Sequence, residues 1–223
     1  MVIISGGSWA MGEWQLHQLS GPGIAHYFNC GGLNTVDLSM SSISNIKQVD
    51  LIQEFIDNHQ INKTDCFYWL VHSPLVDIPT KQIYQDQTSL TTSIESLLNN
   101  QLEYANQIAK NNNIKINLIG ASCDLNNIPA FDHLNVVVPS WGQLLDSTYP
   151  ASIFGHQTDH MTELKQELKQ HCPELIEEYN RIGGMAFGKR RIMTKHKDLF
   201  QCFHPTSKAH KILSNYLINS FHH

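Results

Sequence analysis

At 223 residues, with 41% hydrophobic and 16% charged residues, the chain has material for a sizeable core and lacks the charged, apolar-poor composition of a disordered segment; one domain spanning residues 1–223 is expected. Its 15 Lys and Arg against 20 Asp and Glu give a net charge of -5, with no basic run longer than Lys189-Arg190-Arg191, which argues against a nucleic-acid partner. Five cysteines without a C-x-x-C pair read as reduced thiols, and no export signal or run of ~18 apolar residues is visible, so a soluble, cytoplasmic protein without a membrane span is expected.

In chain order, Val2–Ser5 reads as a buried parallel strand that stops at Gly6-Gly7. Pro22 opens a short helix that ends at Gly31-Gly32, and Thr35–Ser39 follows as a second strand. Ile46, Val49, Ile52, Phe55 and Ile56 recur at helical spacing from Asn45 to about His59. Cys66–Val71 is dense in β-formers and gives a central third strand ending at His72-Ser73. A long apolar stripe from Leu90 to Ile108 predicts a helix closed by Asn111-Asn112-Asn113, before a fourth strand over Ile114–Ile119 and a fifth at Val136–Val138.

Pro139 through His160 is irregular in pattern and suits substrate contacts or a lid. Thr162–Ile182 predicts a helix kinked or split at Pro173, and a final helix starts near Pro205 with Ala209, Ile212, Leu213, Tyr216 and Leu217 on one face. Strands alternating with helices imply a three-layer α/β/α sandwich around a parallel sheet of about five strands, flavodoxin-like in class.

In such sheets ligands sit outside the carboxyl ends of the strands. Gly6-Gly7-Ser8 places a serine directly after the first strand, where its hydroxyl is exposed and its own N–H can meet an oxyanion. A serine hydroxyl needs a base within hydrogen-bond reach, and His204, held before Pro205 at the entrance to the last helix, supplies one. Taken singly, Gly-Gly-Ser is a turn and His-Pro a helix entry; taken together they make a nucleophile and its base.

These blocks resemble those of the SGNH, or GDSL-like, hydrolase family. Gly6-Gly7-Ser8-Trp9-Ala10-Met11-Gly12-Glu13-Trp14 is similar to its Gly-Asp-Ser block, and Phe203-His204-Pro205 to its C-terminal block, with a looser match at Asp37–Asn45. The resemblance implies an SGNH-like fold, Ser8 and His204 as catalytic residues, and an ester substrate with no metal or organic cofactor. It also implies oxyanion or substrate contacts among Ser8, Ser42, Asn45, His72 and Ser73.

The departures from the pattern bear on rate. Gly7 stands where the family has Asp, Ser41-Ser42 where it has an oxyanion glycine, and His72 or Ser73 near where it has a donor asparagine. Gln201 stands three residues before His204 in place of the triad Asp; it can accept from the imidazole N–H but cannot stabilise the imidazolium by charge, and Asp198 is the alternative partner. Losing an oxyanion donor costs roughly 10²–10³ in rate and losing the triad carboxylate about 10⁴, so an impaired hydrolase still exceeds uncatalysed hydrolysis.

The expected activity is therefore cleavage of a small-molecule or glycan ester, the acyl group being a short lipid ester or an acetyl. The rival is a catalytically lapsed module of the same fold that binds a glycan or a protein. His156, Asp159 and His160 have metal-ligand chemistry but no identifiable third partner and read as a solvated loop, Lys189-Arg190-Arg191 reads as a surface patch, and Trp9, Trp14, Trp69 and Trp141 as mostly core.

Overall fold

The computed structural model describes residues 1–15, 18–72, 74, 87–121, 123–145, 198–201 and 204–220. Five strands form one parallel sheet: β1 (Val2–Gly6), β4 (Thr35–Asp37), β5 (Cys66–Val71), β6 (Ile116–Gly120) and β7 (Leu134–Val138), in spatial order β4-β1-β5-β6-β7. The register runs from Val2 beside Thr35 and Cys66 to Val71 beside Gly120. Two short antiparallel pairs stand apart from the sheet, β2 (Trp14–Gln15) with β3 (Gln18–Leu19), and β8 (Phe200–Gln201) with β9 (His204–Pro205). The helices are α1 (Ser8–Met11), α2 (Ile24–Cys30), α3 (Asn45–Asn58), α4 (Gln87–Asn111), α5 (Trp141–Leu145) and α6 (Ser207–Ser220).

The two-residue alternation of the strands builds two apolar layers. On one face Val2, Ile4, Tyr68, Leu70 and Ile119 pack against Trp9, Ala10, Phe28, Trp141, Leu213 and Leu217 of α1, α2, α5 and α6. On the other, Ile3, Phe67, Trp69, Val71, Ile116 and Leu118 meet Val49, Ile52 and Phe55 of α3 and Leu98, Leu102 and Ala105 of α4. The fold is thus a three-layer α/β/α sandwich. Each large apolar side chain fully withdrawn from water in it contributes on the order of 2 kcal/mol. Two buried polar side chains are matched through Gln48: Ser5 Oγ donates to the Gln48 carbonyl at 2.8 Å, and Trp69 Nε1 donates to Gln48 Oε1 at 2.9 Å.

Boundaries depart from the sequence pattern where local hydrogen bonds intervene. β4 stops at Asp37, not Ser39, because Asp37 Oδ1 accepts the Ser39 N–H at 2.9 Å in a turn. β6 starts at Ile116, not Ile114, because Asn113 takes a left-handed φ of 52° and the Ile114 N–H returns to the Ala109 carbonyl, closing α4. β7 extends two residues further toward the N-terminus than expected, to Leu134. Within the segment read as irregular, Trp141–Leu145 is helical, with Ser140 Oγ accepting the Gln143 N–H. The expected kinked helix over Thr162–Ile182, Lys189-Arg190-Arg191, and residues 146–160 of the irregular segment lie outside the described residues. Cys30, Cys66 and Cys123 are free thiols, and among the described residues no helix is long and apolar enough to cross a membrane.

Candidate active site

The sheet order makes β1 and β5 the topological switch point, since the chain leaves β1 toward β4 and leaves β5 toward β6 on the opposite side. The carboxyl ends of two such strands form the crevice where doubly wound folds hold ligands. Gly7 and Ser8 follow β1 there, and His72 follows β5. Two further segments converge on the same edge. The loop after β4 is tied to β1 by the Met40 N–H donating to the Gly6 carbonyl at 3.0 Å, and the β8–β9 pair brings in His204 from the far end of the chain.

Ser8 and His204, 196 residues apart in sequence, meet with Oγ and Nε2 2.8 Å apart in a half-buried setting. With the proton of the neutral imidazole on Nδ1, the hydroxyl donates to Nε2, the arrangement a base needs before it takes that proton. Ser8 opens α1, whose first turn is closed by the Ala10 N–H donating to the Gly7 carbonyl. His204 is held from three sides. It pairs in register with Gln201, Pro205 fixes the chain behind it, and the Thr206 N–H and hydroxyl donate to the Leu199 and Asp198 carbonyls at 2.9 and 2.8 Å. The Asp198 carboxylate, two-thirds exposed, pairs with Lys208.

A feature that sequence reasoning missed joins the two blocks directly. Glu13 Oε2 accepts the Ser207 N–H at 2.8 Å, linking the segment after Ser8 to the first turn of α6, two residues past His204–Pro205 in the chain. A carboxylate at a helix N-terminus is favoured both by the hydrogen bond and by the helix dipole. The signal was the Glu of Gly12-Glu13-Trp14, but nothing in the sequence identifies its partner.

Behind the dyad, His210 of α6 is fully buried, with its ring 5.1 Å from that of Trp141, which in turn lies 5.8 Å from Trp9 in edge-on geometry. Burial pushes the His210 pKa down to about 4; the Gly12 backbone and the Glu13 carboxylate favour the protonated form more weakly, and His204 opposes it.

The other expected contacts fall into two groups. Ser42 is exposed on the loop after β4 and holds a left-handed φ of 59°, so the position keeps a glycine-like backbone although it carries a side chain. Asn45 and His72 lie below the surface of the crevice, at 1% and 7% exposure. Asn45 Nδ2 donates to the His72 carbonyl at 2.8 Å and to Gln101 Oε1 at 2.9 Å, while its Oδ1 accepts the His72 N–H at 3.0 Å, so Asn45 reaches the site through the His72 backbone. The His72 ring turns toward β1, where Nε2 accepts the Gly7 N–H at 3.0 Å. Ser73 and the side chain of Gln201 lie outside the described residues, as do His156, Asp159 and His160. Among the described residues no three His, Cys, Asp or Glu side chains group as a metal site. No protein-family model matches the chain, and comparison with curated proteins and with solved structures finds no match.

Proposed function

We propose that the chain is an SGNH-type serine ester hydrolase acting on a small-molecule or glycan ester. The observation that carries this reading is the 2.8 Å contact between Ser8 Oγ and His204 Nε2 at the switch point of the sheet. Ser8 Oγ attacks the acyl carbonyl while His204 Nε2 takes its proton, giving a tetrahedral intermediate. The main-chain N–H groups of Ser8 and Ser42 are the donors for its oxyanion, and a side chain at residue 42 leaves its N–H intact. His204 then returns the proton to the leaving alkoxide, and a water activated by the same imidazole releases the acid and frees Ser8. Gln201, opposite His204 across the β8–β9 ladder, is the partner the sequence offers for the second imidazole nitrogen.

The test is hydrolysis of nitrophenyl acetate together with labelling by a serine-directed phosphonate. Ser8→Ala abolishes labelling and lowers kcat by at least about 10³-fold, and His204→Ala falls to a similar residual rate because nucleophile and base act as a unit. Thermal stability of both variants stays close to that of the wild type. Wild-type protein that neither turns over nor labels above the Ser8→Ala background overturns the hydrolase reading in favour of the binding module.

A further inference from the structure

The ladder of β5 ends at Val71, one residue before His72. The Asn45 carboxamide bonds both the N–H and the carbonyl of His72, and is itself fixed by Gln101 from α4. All three residues are buried. The imidazole at the end of this brace meets Gly7, the residue immediately before Ser8, whose N–H is left over when β1 stops at Gly6. Gly7 has to be small for this to happen: a Cβ there would lie 2.7 Å from His72 Nε2, closer than any real contact. A side chain at position 7 and an imidazole at position 72 are therefore alternatives for one space.

We infer that His72, braced by Asn45 and Gln101, is a positioning residue for Ser8: its Nε2 fixes the direction of the Gly7 peptide and so the place of the serine hydroxyl against His204. Because Nε2 accepts the Gly7 N–H, the neutral ring carries its proton on Nδ1, and Nε2 is not an oxyanion donor. The role rests on the hydrolase reading, since a nucleophile is what it positions. An ångström of displacement of a nucleophile costs about 10²-fold in rate without loss of substrate binding, which sets the size of effect expected.

Two measurements on the full chain decide the inference. Nitrogen-15 NMR of the wild-type imidazoles should show His72 as the Nδ1–H form with an unprotonated Nε2; a protonated Nε2 overturns the contact. Nitrophenyl acetate kinetics are normalised to the concentration of phosphonate-labelled Ser8, so that a loss of folded protein does not count as a loss of rate. Per labelled site, Gly7→Ala should lower kcat by about 10²-fold and His72→Ala by about 10-fold, with KM within about 3-fold of wild type. Gly7→Ala/His72→Ala should recover at least about 10-fold over Gly7→Ala, because the space for the new methyl has been vacated. A double variant no faster than Gly7→Ala, or an unchanged kcat per labelled site in His72→Ala, overturns the positioning role while leaving the hydrolase standing. Wild-type protein with neither turnover nor labelling overturns the hydrolase reading, and the role with it.

Discussion

Ser42 holds a conformation that costs a residue with a Cβ roughly 1–2 kcal/mol and glycine far less. Strain of this kind persists where the surroundings dictate the backbone, and here the loop is tied to the end of β1 through Met40 and Gly6. Ser42→Gly relieves the strain but adds about 0.5–1 kcal/mol of unfolded-state entropy. The net expectation is a gain of up to about 1 kcal/mol, a rise in Tm of up to ~4 °C, with kcat within about 3-fold of wild type because the N–H donor survives. A variant less stable by more than ~1 kcal/mol would show that the Ser42 hydroxyl, not the backbone, is what the loop needs. At this scale Ser8 and His204 were legible because each sits beside strong punctuation, Gly6-Gly7 and Pro205. The acceptor role of His72 was not, because it depends on a missing Cβ 65 residues away.

Among the elements, α6 matters most to the dyad, because it begins just after His204 and buries Ala209, His210, Leu213 and Leu217. Its first turn is anchored by Glu13, so one charge-assisted hydrogen bond sets the segment carrying the base against the segment carrying the nucleophile. Glu13→Ala should cost about 1.5–3 kcal/mol in urea unfolding, and Glu13→Gln about half as much, since the amide oxygen still accepts from Ser207 but the charge at the helix end is gone. Equal loss in both variants would assign the whole effect to charge, and no loss in either would remove Glu13 from the anchor. The major strands and helices were legible from apolar periodicity, which survives because each has a buried face. The β2–β3 and β8–β9 pairs were not, because two-residue strands have no period to read. The first turn of α1 was hidden for a similar reason, in that four residues from Ser8 carry no helical stripe.

Across the whole molecule, the order β4-β1-β5-β6-β7 sets the crevice beside Ser8, and the β8–β9 pair with α6, packed on the same face as α1 and α2, brings His204 to it from the far end of the chain. A parallel sheet was implied by the alternation of strands and helices; its order was not legible in the strand patterns, which do not encode their neighbours, and agrees with the 2-1-3-4-5 order of the flavodoxin-like class expected for the chain. One face of that sheet is closed by α2, α5 and α6, and inside this layer His210 sits against Trp141 with neither ring nitrogen, nor Trp141 Nε1, in hydrogen-bonding geometry with a partner among the described residues. A neutral imidazole is tolerated there; a charged one is not, which is why burial lowers the His210 pKa from 6.5 to about 4. In the unfolded chain the ring takes up a proton near its ordinary value. Between pH 6.5 and about 4 the unfolded state therefore binds more protons than the folded one, and stability rises with pH across that window. The contribution is complete above pH 6.5 and lost by about pH 4, and it amounts to about 3 kcal/mol. His210→Leu keeps an apolar filling against Trp141 and removes the titration. Urea unfolding at a series of pH values from 7 to 4 should show the wild type losing up to about 3 kcal/mol more than His210→Leu. Parallel stability curves for the two proteins would show that His210 finds a partner for its proton in the folded state.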